Sequence, residues 1–530
     1  MANDYESFVD RNRAELVQRV SSVMPLADVL MSRGMLKNEP YSEIQAERTS
    51  QAKMRALFRF LKGRNQKVAF FHALKKNEPF LVEELEHGPR PEGPTEASHG
   101  TQESSSGARH GEEDSEKVEI ALEERWHKIS QRWQAKLQDL LKEQNLQSVG
   151  NRKLFLCTEA NYEIGAGCNG TTVYIGMKAD GTEVAIKRMV KSCNKELQNE
   201  MSLLRAPELE SCYIVKYVDF VEDEAFYYLA LQLCEYTLEE YMEHIQQKEE
   251  EDKWKALRKV AKEVLLGLKV LHDNGVLHRD IKPQNVLIDV KENTRLADFG
   301  FSRRLNSAST RITRRAGTQG WEAAEILDDE NENEGNVEYK KSSDMQVAGM
   351  LVHYILSEGH HPFGKGRRIE QNIIDGKAEL HQIILQDVEA KDLIEEMIHK
   401  DPKKRLTIGE AIDHPYFWDD ARRDFFLRKV GDEKAVQRYL EVDQTLCDAV
   451  AKYTEGRSVS GWKHKIPTDN PDMLSVDSKL PDNLLGLLRY FRNSLVHPKK
   501  KFVGFEIFKD LYPDFFICAN KLAKEMRWTD

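Results

Sequence analysis

The chain has little cysteine, no excess of positive charge and no long apolar run. Seven cysteines are scattered through 530 residues, with no C-x-x-C pair and no regular spacing. An odd, sparse set of this kind fits a reducing cytosol better than secretion. Acidic residues number 89 against 78 basic ones, a net charge of −11. That balance argues against indiscriminate binding to nucleic acid or anionic membrane over the whole surface, and leaves room for a local basic site. The N-terminus, MANDYESFVD, has neither a basic n-region nor an apolar h-region, so no signal peptide is expected. No apolar run approaches the roughly 20 residues needed to span a bilayer. The expectation is a soluble, cytoplasmic protein with no membrane partner.

What is present is enough apolar material, 40% of residues, for sizeable cores in a chain too long for one. Residues 1–88 are apolar-periodic. Leu16, Val17 and Val20 share one helical face; Val23, Leu26, Ala27 and Leu30 a second; Met54, Leu57, Phe58 and Leu61 a third; Val68, Phe71 and Leu74 a fourth. Gly34, Pro40, Gly63 and Pro79 punctuate them, which predicts a small bundle of five or six short helices. Residues 89–116 hold almost no apolar side chains and read as a flexible linker. Over 117–148, Leu122, Trp126, Ile129, Trp133, Leu137 and Leu140 recur at helical spacing and predict one amphipathic helix packed on the next domain. From Phe155 the pattern turns to strands and then helices, as in a two-lobed α+β enzyme. Acidic stretches near 246–253 and 328–336 read as solvated loops. From Arg422 to Trp528 the chain is helical again.

The middle carries the chemistry. Gly165, Gly167 and Gly170 have G-x-G-x-x-G spacing, Val173 follows, and a second strand, VAIK, ends in Lys187. A lone glycine motif is weak, but this order is that of a protein kinase, where glycine amides close over ATP phosphates and the lysine reaches the α and β phosphates. Lys187 needs a carboxylate from the next helix. Glu200 is the first choice and Glu196, one turn earlier, the second. In LHRDIKPQNVL, Asp280 would orient the substrate hydroxyl and accept its proton, with Lys282 beside the transferred phosphate. Asn285, and Asp298 of ADFG, would hold Mg²⁺. Gln232 and Cys234 are assigned to the same cofactor site. Between Asp298 and Glu325 lie the hydroxyls Ser302, Ser307, Ser309, Thr310 and Thr313 among five arginines, where a phosphate could pair with arginine. The segment ends in Ala323-Ala324-Glu325, without the usual A-P-E proline.

The stretches GTQGWEAAEIL, SDMQVAGMLVHYILSEGHHPFG and DPKKRLTIGEAIDHPYFW resemble the kinase/endoribonuclease of the unfolded-protein response, the inositol-requiring-enzyme family. RNase L is a more distant relative. The resemblance continues through RRDFFLRKVGD, GWKHKI and LLGLLRYFRNSLVH, in the order of the kinase-extension nuclease, or KEN, domain, and covers residues 150–528. It implies metal-independent RNA cleavage, in which the 2′-OH attacks, one group removes its proton, another protonates the leaving oxygen and a cation stabilises the phosphate. The family's arginine, asparagine and histidine fall on Arg492, Asn493 and His497, followed by Lys499, Lys500 and Lys501. Its tyrosine, about thirteen residues before the arginine, falls on Lys479, and Tyr490 is too close to replace it by spacing. The resemblance further implies kinase dimers that assemble the nuclease and are favoured by nucleotide. Trp462 and Leu484–Leu488 read as core.

The N-terminal stretches FVDRNRAELVQRVSSVMPLADVLMSRGML, TSQAKMRALFRFL and KVAFFHALKKNEPFLVEEL resemble a caspase-recruitment (CARD) death-fold domain, which pairs with other CARDs through charged surfaces. Asp10, Arg11, Arg13, Glu15, Arg19 and Asp28 suit that role. The expected fold is multidomain: an all-α CARD-like bundle at 1–88, a linker at 89–116, a helix at 117–148, an α+β protein kinase at 150–418, and an all-α KEN ribonuclease domain at 419–530. The expected function is a cytosolic Ser/Thr kinase using ATP and Mg²⁺, coupled to an endoribonuclease acting on RNA. Its partners would be a second copy of the chain and a CARD-containing protein. A CARD signalling adaptor with a weak or dead nuclease, and a plain kinase acting on other proteins, remain as alternatives.

Overall fold

The computed structural model describes residues 5–77 apart from 21–22, 33–34, 38–39, 42, 45–46 and 48–49; residues 82 and 85; and residues 122–528 apart from 167–170, 192–193, 306–309, 315–316, 329–335, 468–475 and 497–504. It falls into two compact units, Met1–Gly107 and Ala108–Asp530.

In the first unit the described helices are Tyr5–Arg11, Arg13–Arg19, Met24–Ser32, Ser50–Phe60 and Arg64–Asn77. Their apolar faces converge as the spacing requires. Leu16, Leu26, Leu30, Leu57, Phe70 and Leu74 are fully buried in one core, while Val68 is half-buried. Each such side chain contributes about 1.5–3 kcal/mol by leaving water. Phe8 meets Phe71 edge-on at 5.0 Å between ring centroids. Asp10, Arg11, Arg13 and Glu15 are exposed, and Asp10 pairs with Lys67 at 2.6 Å. The side chains of Arg19 and Asp28 lie outside the described residues.

The second unit opens differently from the expected single helix. A turn of helix at 122–125 and the helix Gln134–Leu141 flank an irregular segment, 126–133. The helical spacing is real for Leu122, Trp126, Leu137 and Leu140, which pack against Phe155, Ile175 and Met177. Ile129 is 54% exposed. The helix breaks because the amides of residues 129–132 donate to side chains elsewhere instead of to the preceding turn.

Among the described residues, seven antiparallel strands form the small lobe: β1 Gln147–Val149, β2 Leu154–Leu156, β3 Glu163–Ala166, β4 Thr172–Lys178, β5 Glu183–Val190, β6 Tyr217–Glu222 and β7 Phe226–Gln232. Their order is β1-β2-β4-β5-β7-β6, with β3 paired to β4. Alternation along β5 buries Val184 and Ile186 on one face and sends Lys187 to the other. The helix Asn194–Leu204 follows β5.

The large lobe is built on the 24-residue helix Glu250–Asp273 and the almost wholly buried helix Lys341–Leu356. Part of the acidic run expected as a loop near 246–253 instead opens the first of these, with Glu250, Glu251 and Asp252 in its first turn, where the helix dipole favours negative charge. Residues Thr310–Arg314 pair as a strand with Asn336–Lys340.

The C-terminal helices Asp420–Gly431, Lys434–Gln437, Gln444–Thr454, Leu484–Val496, Phe505–Leu511 and Phe515–Glu525 have a core of their own. Trp462 and Leu484–Leu488, read from the sequence as core, lie in it. The tail is anchored to the large lobe by the buried Arg423 fork, which donates to Glu389 at 3.0 and 2.8 Å, and by Lys521, which meets Asp392 and Glu396 at 2.6 and 2.7 Å. Among the described residues, no helix is long and apolar enough to cross a membrane.

Candidate active site

Lys187 lies where β5 faces the helix Asn194–Leu204, and its ammonium is held between two carboxylates. Nζ stands 2.8 Å from Oε2 of Glu200 and 3.0 Å from Oδ1 of Asp298. Burial pulls the lysine down, but Glu200 and then Asp298 outweigh it, so the ammonium is held above its ordinary range. Burial pushes the Glu200 carboxyl up, yet an ammonium with two acidic neighbours keeps the ionised pair the stable form. For Asp298, burial is likewise opposed by Lys187, and the carboxyl ends below its usual range. Glu200, the first choice from the sequence, thus pairs with Lys187; the Glu196 side chain lies outside the described residues.

The second half of the site comes from the loop after Val276–Leu277. Asp280 is fully buried. Its carboxylate accepts from the Thr318 hydroxyl at 2.7 Å and the Asn285 amide at 2.9 Å, and pairs with Lys282 at 2.8 Å. Lys282 also donates to the Thr318 hydroxyl at 2.7 Å. Because the Asn285 amide nitrogen is committed to Asp280, its side-chain oxygen is left to serve as an acceptor. Asp298, 37% exposed, and Asn285 thus offer the oxygen donors that a hard divalent cation prefers. Arg279 and Asp298 adopt left-handed backbone, with φ of 69° and 61°. Non-glycine residues do so at a cost of about 1–3 kcal/mol each, and such strain gathers at functional sites.

Several residues support this geometry from positions distant in the chain. Asp344, buried in the helix Lys341–Leu356, accepts the backbone N–H of His278 at 2.9 Å and of Arg279 at 3.0 Å, and bonds His272 at 3.0 Å. Burial alone would raise its carboxyl; His272 and the loop amides hold it low. Asn199 donates to the carbonyls of Phe299 and Ser302 at 2.9 and 2.7 Å, tying the Glu200 helix to the Asp298 segment. Glu325 receives the buried Arg405 fork at 2.9 and 2.7 Å. The available signal for Asp344 is a carboxylate inside an otherwise apolar helical run.

Gln232 ends β7, and its N–H donates to the Lys216 carbonyl at 2.9 Å. Cys234 follows in the inter-lobe linker; burial pushes its thiol up to about 12. Gly165 lies in β3, whereas Gly167 and Gly170 lie outside the described residues. Ser302 corrects the reading of the loop hydroxyls: it is fully buried and donates to the His278 carbonyl at 3.1 Å, so it is no open acceptor for phosphate. Ser307, Ser309 and the side chains of Thr310 and Thr313 lie outside the described residues.

In the tail, Arg492 and Asn493 sit in the helix Leu484–Val496, and Arg492 Nε donates to Asp432 at 2.7 Å. That helix crosses Asp420–Gly431 closely: a Cβ on Gly431 would lie 2.5 Å from Cβ of Arg492. His497 and Lys499–Lys501 lie outside the described residues. Lys479 is exposed, and Tyr490 is 3% exposed in the tail's core, where burial raises its phenol.

Comparison with known proteins agrees with this geometry. Residues 158–417 match the protein kinase domain and residues 6–88 the caspase recruitment domain. The serine/threonine-protein kinase/endoribonuclease ire-1 of Caenorhabditis elegans is 33% identical over 366 residues, covering 66% of this chain and 36% of that protein. The serine/threonine-protein kinase/endoribonuclease IRE1b of Arabidopsis thaliana is 30% identical over 384 residues, covering 65% and 42%. The probable serine/threonine-protein kinase ireA of Dictyostelium discoideum is 30% identical over 352 residues, covering 56% and 35%. The chain thus spans well under half the length of these curated relatives. It joins a caspase recruitment domain to a protein kinase domain in which Lys187, Glu200, Asp280, Lys282, Asn285 and Asp298 line one cleft.

Proposed function

We propose that this chain is an ATP-dependent serine/threonine kinase whose C-terminal helices cleave RNA. The observation that carries the kinase half is the Lys187 ammonium between Glu200 and Asp298, with Asp280 buried and bonded to Lys282 and Asn285 in the same cleft. In that reading Lys187 binds phosphate oxygens of ATP, and Asp298 and Asn285 hold Mg²⁺, which when bound neutralises phosphate charge. Asp280 orients the attacking hydroxyl and accepts its proton, a place its bond to the Thr318 hydroxyl already mimics. Lys282 offsets charge on the transferred group. With γ-³²P-labelled ATP and Mg²⁺, the full chain is expected to label itself, and Asp280→Asn to lower the rate at least a hundredfold. Absence of transfer to itself and to a generic Ser/Thr substrate would sink the kinase reading.

The RNA half rests on sequence and on the relatives. The similarity to the worm and plant proteins, each named a kinase/endoribonuclease, takes in 65–66% of this chain, more than the kinase match alone. In this reading Arg492 stabilises the phosphate and His497 acts as acid, with Asn493 beside Arg492 in the same site. Paired kinase domains assemble the nuclease, autophosphorylation and nucleotide favour the pair, and the CARD clusters the chain in the cytoplasm with another CARD-containing protein. A second reading keeps the kinase and loses RNA cleavage. It is favoured by the exposed Lys479 at the tyrosine position and by the burial of Tyr490, which keeps that phenol from substituting.

A further inference from the structure

Four consecutive backbone amides just before the kinase domain are spent on two buried carboxylates. Ile129 and Ser130 donate to Glu183 at 3.0 and 2.7 Å. Gln131 and Arg132 donate to Glu235 at 3.2 and 2.7 Å. The Trp126 indole adds a third bond to Glu183 at 2.6 Å. Glu183 and Glu235 are only 6% and 5% exposed, so these donors are what make their burial tolerable. The two carboxylates lie side by side where β5 and β7 meet the inter-lobe linker, since Val184 pairs with Gln232 across the two strands. Glu183 opens β5, four residues before Lys187, and Glu235 lies in the inter-lobe linker, three residues after Gln232.

The same segment grips the linker directly. The Trp133 indole donates to the Cys234 carbonyl at 2.8 Å. Arg132 donates to the Glu235 carbonyl at 2.6 Å and forks onto Glu240 at 2.9 and 2.6 Å. The turn between β4 and β5 is shaped to admit the segment. Gly181 has φ of +86°, and a Cβ there would lie 1.9 Å from the Arg125 carbonyl oxygen. Nothing in the kinase motifs calls for this strap.

We propose that residues 126–133 are a brace that sets the geometry of the nucleotide cleft, with Glu183, Glu235 and Trp133 as positioning residues. The proposal rests on reading the cleft as an ATP site. It makes nucleotide affinity depend on the stretch through which the chain runs from the caspase recruitment domain to the kinase. That stretch is therefore where an event upstream in the chain would be felt by the ATP site.

The test uses the full chain carrying Trp133→Phe, which keeps an aromatic ring but loses the indole N–H, and Glu235→Gln, which keeps the shape and loses the charge. Three quantities are read: the dissociation constant for a fluorescent ATP analogue with Mg²⁺, amide hydrogen exchange at residues 232–236 without nucleotide, and the melting temperature. Each variant is expected to weaken nucleotide binding about five- to tenfold, the scale of one lost hydrogen bond. Each is also expected to speed exchange at 232–236 by a similar factor. Arg423→Ala, at the distant tail junction, should lower the melting temperature while leaving both other readouts unchanged. Wild-type affinity and exchange in both brace variants would overturn the proposal, as would equal losses in Arg423→Ala. If the unaltered chain binds no nucleotide, the ATP reading fails. The exchange measurement still decides whether the brace holds the linker.

Discussion

Replacing Glu200 by glutamine separates positioning from folding. The carboxylate accepts from the Lys187 ammonium at 2.8 Å, with 2% of its side chain exposed. A hydrogen bond to a charged group contributes roughly 1.5–3 kcal/mol and a neutral one roughly 0.5–1.5. The swap therefore costs about 1–2 kcal/mol of lysine positioning, a roughly five- to thirtyfold loss in kcat/KM for phosphoryl transfer. Folding suffers less, because the ammonium keeps Asp298 at 3.0 Å and the buried amide no longer carries charge. Glu200→Ala removes the partner outright; breaking a buried pair costs about 3–5 kcal/mol, so more than a hundredfold in rate is expected. The assay is the initial rate of labelled-phosphate transfer, with thermal melting alongside. Lys187→Met combined with Glu200→Gln should be little worse than Lys187→Met alone, because the two act as one unit. Wild-type transfer by Glu200→Gln, or losses that multiply in the double variant, would refute the assignment.

Three further outcomes are expected. Gly431→Ala would place a methyl 2.5 Å from Cβ of Arg492, an overpacking of about 1–3 kcal/mol that shifts the arginine; RNA cleavage should fall at least tenfold while phosphate transfer stays unchanged. Arg423→Ala leaves Glu389, 1% exposed, without its fork; the tail should unfold in a separate, earlier calorimetric transition, with about 3–5 kcal/mol lost at the junction. His353 accepts the His381 N–H at Nε2 and bonds the His360 carbonyl through Nδ1, so the fold needs it neutral, and burial lowers its pKa to about 4. An unfolded histidine titrates near 6.5, so the unfolded chain binds the extra proton first. This stability is whole above about pH 6.5 and drains as pH falls towards 4, amounting to about 2 kcal/mol lost at pH 5. Melting the chain at pH 7 and pH 5 should show that loss, and His353→Gln should flatten it.

The readable parts of this protein are those whose partners lie close in sequence or whose residue types admit one role. The order of Lys187, Asp280, Asn285 and Asp298 announced the cleft, and the offset of Glu200 from Lys187 found its partner, because a strand followed by a helix has few ways to bring two charges together. The apolar faces of the first bundle were likewise plain from periodicity, and Trp462 and Leu484–Leu488, read as core, lie in the tail's core. The brace was not. Its apolar residues keep helical spacing, but the carboxylates that capture its amides lie 53 to 104 positions away. Asp344, 65 positions from the Arg279 amide it receives, was hidden for the same reason, as was Arg405, 80 from Glu325. Ser302 read as a surface hydroxyl because neighbouring arginines suggest solvent; its burial follows from the packing of the Asp298 segment against His278.

The central claim is that the kinase cleft controls RNA cleavage by the tail. It is tested by the rate at which the full chain cuts a stem-loop RNA as protein concentration rises, with and without a non-hydrolysable ATP analogue. The rate should climb more steeply than linearly, rise with the analogue, and lose the analogue's effect in Lys187→Met. It should vanish in Arg492→Ala and His497→Ala while both variants still bind nucleotide. No cleavage at any concentration, or cleavage indifferent to Lys187 and to the analogue, would contradict it.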